Sequence, residues 1–275
     1  MTSPAFVRFV LSVDAAAYDR AAAALLELPT PGWQEADEGA TLVFWLAADL
    51  VDDPSLQEAL AELRSLGRLR AVPERSDWLV DWKRFHHAVS VGAVAVRPPW
   101  VAPEPDTLDV VIDVGVAFGT GSHATTRQCL LSLQEVTPGS LLDIGVGSGV
   151  LSLAAQRLGY APVHGCDVDE LAPCAARKNA RLNDLNLDLF AADISEEEVQ
   201  LPPTEVVVAN VALNPIVAYG KRLQREQDVA RPRDVLLAGL LETQADEARA
   251  AYPGYVEHCR AREDEWVLLH LERCA

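Results

Sequence analysis

Apolar runs of strand length and longer runs of helical period follow one another from the first residues. FVRFVLSV reads as a strand, AAAYDRAAAALLEL as a helix, residues 32–38 and GATLVFWLA as two strands, PSLQEALAELRSLG as a second helix and GRLRAVPE as a closing strand. That order predicts a small α+β sandwich of ferredoxin-like β-α-β-β-α-β type over residues 1–74. No catalytic cluster lies in it, so its expected job is recognition. In SDWLVDWKRFHHAVSVGAVAVRPPW the pattern gives a short helix carrying Trp78, Trp82 and Phe85, then a strand and a Pro-rich turn, so residues 75–107 read as a joint and linker. The tryptophans are packing groups by this reading, and His86 and His87 lack companion ligands at metal spacing.

From residue 108 to 275 strands and helices alternate. Strands are expected at 141–144, up to Asp167, near Leu187, at 205–209 and at 235–238, with helices at about 150–158 and 170–183 and after each of the last two strands. This rhythm predicts an open, mainly parallel sheet wrapped on both faces. The end, YVEHCRAREDEWVLLHLER, holds two strands without a helix between them and so closes the sheet with an antiparallel hairpin.

The chemistry concentrates at LLDIGVGSGVL, residues 141–151, where an apolar strand ends in Asp143 and runs into Gly145, Gly147 and Gly149. Glycines there let the backbone approach a ligand closely. A second acid, Asp167, ends the next strand about twenty residues on, where a ribose diol is held in nucleotide-binding folds. The dinucleotide pattern G-x-G-x-x-G is incomplete, because position 150 is Val and the third glycine comes one residue early. The G-x-G-x-G spacing behind Asp143 suits S-adenosylmethionine instead, and no lysine follows the glycines as a phosphate-binding loop requires.

Composition narrows the partners. Residues number 275, of which 49% are hydrophobic, enough for one large domain or a medium and a small one. The formal net charge of -18 disfavours free nucleic acid; an acidic surface would attract a basic partner, though on composition alone the charge reads as keeping the protein soluble. Arg8 and Asp14 interrupt the N-terminal apolar run, and the uncharged stretch at 206–220 is too short to span a bilayer, so a soluble cytoplasmic protein with no membrane partner is expected. The five cysteines form no C-x-x-C pair and are read as reduced, buried thiols, and no metal site is expected.

Ordered motifs then carry a resemblance. DWKRFHHAVSVG, AFGTGSHATTRQCL, LLDIGVGSGVLSLAA, GCDVDELA, VVVANVAL and EDEWVLLHL resemble, in sequence order, the bacterial methyltransferases of large-subunit ribosomal protein L eleven, the PrmA family. AFGTGSHATT is the most specific of them. The resemblance implies a class I S-adenosylmethionine-dependent methyltransferase, a Rossmann-like α/β fold whose mostly parallel sheet ends in an antiparallel strand. It also implies that Phe118, Gly119, Thr120 and Thr126 line the cofactor site, with Gly145 and Gly147 in the glycine loop behind Asp143, Asp167 at the ribose and Asn210 near the reacting methionine end. The expected substrate is ribosomal protein L eleven, a basic protein methylated on α- and ε-amines, and the enzyme is expected to be a monomer that needs no direct nucleic acid contact. Ser122 is a candidate cap for the helix that follows, and His123 is read as shaping the loop in preference to acting as a base. Either Asn210 or Asn214 suits the pocket at the end of VVVAN. Other readings stay open from the residues alone: methylation of another protein's lysine, a nicotinamide-dependent dehydrogenase, and a non-catalytic module that binds S-adenosylmethionine.

Overall fold

The computed structural model describes residues 6–26, 28–30, 33–37, 41–47, 50–51, 53–74, 87–113, 122–196, 198–225 and 231–274. They fall into two compact units, one reaching to His87 and including Asp113, the other formed by Ala88–Ile112 and the described chain from residue 122 on.

In the first unit, strands β1 (Phe6–Val13), β2 (Trp33–Asp37), β3 (Thr41–Ala47) and β4 (Gly67–Glu74) alternate with helices α1 (Tyr18–Leu26) and α2 (Pro54–Leu66) in the order β-α-β-β-α-β. The sheet runs β2-β3-β1-β4, every neighbouring pair antiparallel. Strand residues two apart share a face. Phe9 and Leu11 of β1 therefore lie beside Leu42, Phe44 and Leu46 of β3, buried in one cluster with Leu25 of α1 and Leu56, Leu60 and Leu63 of α2. The spacing of the three α2 leucines is that of one helical face. All six elements stand where the apolar pattern puts them.

The second unit opens with a three-stranded sheet, β5 (Val89–Val91), β6 (Val94–Arg97) and β7 (Leu108–Val111), in which β6 pairs with β7 in parallel. The sequence pattern gives one strand here; the chain makes a hairpin, because Gly92 takes a φ of 60° between Val91 and Val94. Stretch 75–107 therefore holds β5 and β6 besides turns, and residues 75–86, where the joint helix is expected, lie outside the described residues.

Then come α3 (Ala124–Glu135), β8 (Leu141–Ile144), α4 (Val150–Arg157), β9 (Val163–Asp167), α5 (Leu171–Leu182), β10 (Asp188–Ala191), β11 (Val206–Asn210), α6 (Leu213–Arg225), β12 (Asp234–Leu241), α7 (Glu242–Ala250), β13 (Tyr255–Glu263) and β14 (Trp266–Arg273). Seven strands form a sheet in the order β10-β9-β8-β11-β12-β14-β13. The first five run parallel, and β14 lies antiparallel between β12 and β13. Strands β8 and β11 are almost wholly apolar, broken only by Asp143 and by the terminal Asn210, because helices cover both faces of such a sheet. On one face Ile144, Ala209 and Leu237 pack with Ile216, Tyr219 and Leu223 of α6 and with Ala245 and Ala248 of α7. From β8 the chain proceeds through β9 to β10 on one side, then returns to β11 and β12 on the other. The order thus reverses between β8 and β11, which opens a crevice at their carboxyl ends.

Cys129 and Cys166 are buried as small hydrophobes, but Cys174, Cys259 and Cys274 are exposed and all five are free, so burial holds for two of the thiols. Among the described residues no helix is long and apolar enough to cross a membrane.

Candidate functional site

The crevice is built from strand ends. After Ile144 the chain turns into the glycines and enters α4 at its N-cap Gly149. The amides of Gly145 and Val146 donate to the Cys166 carbonyl at 2.8 and 3.0 Å, which ties the loop to the end of β9. Gly145 has a φ of +78°, and a Cβ there would lie 2.1 Å from Cγ1 of Val211, so only glycine lets the loop follow this course.

Asp167 ends β9 and faces the same loop. Its Oδ2 accepts the Gly147 amide at 3.0 Å and its Oδ1 the Asp169 amide at 3.1 Å. A carboxylate has about four lone-pair positions, so acceptor capacity remains for two hydroxyls. Val168, next along, is 72% exposed, an apolar side chain displayed beside a charged acceptor. A lone valine after an acid gives no signal in the hydrophobic pattern; its exposure marks it.

On the other side of β8, Asn210 ends β11, and its Nδ2 lies 3.5 Å from Oγ1 of Thr126. Thr126 is 1% exposed, in the first turn of α3. Two motifs 84 residues apart are thereby brought together. Of the two candidate asparagines, it is Asn210 that makes this contact with Thr126. Asn214 lies one helical turn on, in α6, and lines a separate cavity of about 470 Å³ with Lys221, Arg225 and Glu247. That cavity includes neither Asp167 nor Asn210.

The N-cap of α3 is His123, not Ser122. Nδ1 of His123 accepts the Thr125 amide at 3.4 Å and lies 2.8 Å from the Thr125 hydroxyl. A capping imidazole satisfies an otherwise orphaned amide, in keeping with a loop-shaping role. Ser122 contributes its carbonyl, which accepts from Arg127. At the far end of α3, Gln134 accepts the Ala93 amide at 2.7 Å and donates to the Val91 carbonyl at 3.0 Å, fixing the helix to the β5–β6 turn.

Asp143 lies under the glycines, 1% exposed. Its Oδ2 accepts from the Ser152 amide at 3.1 Å and the Ser152 hydroxyl at 2.7 Å, which binds the end of β8 to the first turn of α4. Among the described residues Oδ1 has no hydrogen-bond partner. Burial pushes this carboxyl from 3.8 up to about 7; the Ser152 hydrogen bonds oppose that and the charge of Asp167 reinforces it. Because the folded value is the higher one, between pH 3.8 and about 7 the native chain holds a proton that the unfolded chain has released. The contribution of Asp143 is therefore full below that window and is lost as pH rises through it, at on the order of 1 kcal/mol per pH unit. Asp143→Asn removes the titration. Its stability relative to the natural chain is expected to rise steadily across the window in urea unfolding, and a difference independent of pH contradicts the assignment.

Of the nine residues that the sequence nominates, Thr126, Asp143, Gly145, Gly147, Asp167 and Asn210 converge on the crevice or on the loop that edges it. Phe118, Gly119 and Thr120 lie outside the described residues. The fit to a nucleoside-bearing cofactor rests on the positive-φ glycine loop, an acid with spare acceptor capacity, and a paired amide and hydroxyl across the crevice.

A parallel sheet closed by an antiparallel hairpin, with a glycine loop and an acid at neighbouring strand ends, defines a methyltransferase-like α/β protein. Known proteins agree. The chain belongs to the ribosomal protein L11 methyltransferase (PrmA) family, whose model matches residues 50–274. A ribosomal protein L11 methyltransferase of Nitrosomonas europaea is 34% identical over 288 residues, covering 95% of this chain and 89% of that protein. One of Caldanaerobacter subterraneus subsp. tengcongensis is 38% identical over 189 residues, 63% of this chain. The match spans 60% of the length of the Caldanaerobacter protein and 56% of a relative from Symbiobacterium thermophilum. In fold, the crystal structure of ribosomal protein L11 methylase from Lactobacillus delbrueckii subsp. bulgaricus superposes with a TM-score of 0.61 at 24% identity, over 69% of this chain and all of that one.

Proposed function

We propose that this protein is an S-adenosylmethionine-dependent N-methyltransferase acting on α- and ε-amino groups of ribosomal protein L11. The observation that carries the reading is the Asn210–Thr126 contact, which joins the strand-end asparagine to the helix after the AFGTGSH segment, beside the glycine loop and Asp167. In this reading Asp167 accepts the ribose hydroxyls and Val168 covers the nucleobase. Gly145 and Gly147 admit the cofactor to the backbone, and Asp143 holds their loop from below. Phe118, Gly119, Thr120 and Thr126 line the cofactor site, with Asn210 near the reacting methionine end.

When bound, S-adenosylmethionine supplies a sulfonium methyl group open to in-line attack by a neutral amine. The residues of the crevice are left with binding, orientation and exclusion of water. The amine must first lose a proton. For a lysine side chain near pKa 10.4 that costs roughly 4 to 5 kcal/mol at neutral pH, and for an α-amine near 8 about 1 kcal/mol. The α-amine is the easier acceptor.

We read the first unit, with its β-α-β-β-α-β order, as a ferredoxin-like recognition module over residues 1–74. All glycines and acids of the cofactor motif lie after residue 107. The net charge of -18 suits a basic ribosomal protein as partner, without nucleic acid. A ribosomal target puts the reaction in the cytoplasm, with the enzyme working as a monomer. Transfer of the methyl group from labelled S-adenosylmethionine to purified L11 tests the reading; labelling of a different protein in an extract would redirect it.

A further inference from the structure

We propose that the tip of the β13–β14 hairpin acts as a brace that positions the first turn of α3, and with it Thr126, for the cofactor; the inference rests on the cofactor reading above. The EDEW turn at 263–266 lies far from the glycine loop in sequence and has no role in the chemistry described so far.

Three side chains at the start of α3 meet the hairpin. Nε of Arg127 donates to Oε1 of Glu263 at 3.0 Å, and a second guanidinium nitrogen reaches the same oxygen. Another nitrogen of that guanidinium donates to the carbonyl of Ser122, immediately before the N-cap. The N-cap imidazole of His123 stands edge-on to the Trp266 ring, centroids 5.2 Å apart. Gln128 donates to the Trp266 carbonyl at 3.1 Å. The turn is thus held from the hairpin through residues 123, 127 and 128, and from β11 through the Asn210–Thr126 contact. Ser122, gripped by Arg127, directly follows the stretch that carries Phe118, Gly119 and Thr120 in the sequence.

Magnitudes separate a brace from ordinary packing. The Arg127–Glu263 pair is about one-third exposed, with side-chain accessibilities of 31% and 38%. Such pairs add little to global stability. A displacement of a binding group by about 1 Å, in contrast, can reduce activity about a hundredfold. Losing the brace should therefore loosen one turn and weaken the cofactor site while global unfolding stays put.

The test uses the full chain with Glu263→Gln, Trp266→Ala and Trp266→Phe, and two measurements. Hydrogen exchange in the cofactor-free protein reads the amides of residues 125–128, and calorimetry reads S-adenosylmethionine affinity. Glu263→Gln and Trp266→Ala are expected to speed exchange there by about tenfold and to weaken binding at least about fivefold, with the urea midpoint unchanged in Glu263→Gln and lowered in Trp266→Ala, whose half-buried ring also packs. Trp266→Phe keeps an edge-on ring and is expected to restore both. Unaltered exchange in Glu263→Gln and Trp266→Ala, or faster exchange in Glu263→Gln that merely follows a fall in the urea midpoint, overturns the brace. Faster exchange in the variants, with a natural chain that itself binds no S-adenosylmethionine, would instead support the brace and overturn the cofactor reading.

Discussion

Replacing Asp167 with alanine is expected to weaken S-adenosylmethionine binding by ~1.5 to 3 kcal/mol, about ten- to a hundredfold in Kd. The carboxylate sits at the end of β9 and already receives the Gly147 and Asp169 amides at 3.0 and 3.1 Å. Its loss removes charged acceptors for the ribose and frees the glycine loop that the Gly147 contact holds. Asp167→Asn separates these effects, because one acceptor oxygen survives while the charge does not. It should fall between alanine and the natural residue in calorimetry. Alanine that binds as tightly as the natural chain, with the fold intact, would remove Asp167 from the site.

Gly239→Ala is expected to cost roughly 2 to 4 kcal/mol of stability, the sum of a left-handed backbone forced on alanine and a clash that side-chain motion cannot relieve. Gly239 has a φ of +81°, and a Cβ there would meet the Val211 carbonyl oxygen at 2.5 Å and the Val211 carbonyl carbon at 3.0 Å. It sits where β12 breaks register against β14 between Leu237 and Leu240. Val211 follows Asn210 and donates to the Ala238 carbonyl at 3.3 Å. A shift of Val211 would therefore reach Asn210, and cofactor affinity should fall with stability. Urea unfolding and calorimetry on the same variant check both. An unchanged urea midpoint would show that the strand absorbs the methyl group without moving Val211.

Gly239 also shows what the sequence conceals. A lone glycine inside VLLAGLL reads as a weak spot in a strand, and its cause lies in the backbone of a residue 28 positions earlier. The glycines after β8 are legible for the opposite reason. Their close spacing after an apolar run writes the loop into local sequence, as the buried and mainly apolar runs of β8 and β11 write the parallel sheet. Capping was read one residue out, because serine is the commoner cap by propensity while the tertiary arrangement sets the His123 ring against Trp266 and Thr125. The β5–β6 hairpin escaped the pattern because three- and four-residue strands are shorter than the window in which periodicity shows. Its anchor, Gln134, comes from another element altogether.

Asp143 carries a related lesson. From sequence, Asp143 reads as the acid behind the glycine loop of the cofactor site. Its burial and the Ser152 hydrogen bonds, which place it beneath the loop with a carboxyl raised to about 7, could be read only from the structure.

Methyl transfer to ribosomal protein L11 is read out by intact-mass spectrometry of that protein after incubation with the full chain and excess S-adenosylmethionine. Successive mass increments of one methylene each are expected, rising with time and distributed over more than one amine, with the α-amine reacting among the first. Asp167→Ala should slow every increment. An L11 protein that stays unmodified, under conditions where calorimetry shows the cofactor bound, would contradict the substrate assignment, and a single increment that never progresses would contradict multiple methylation.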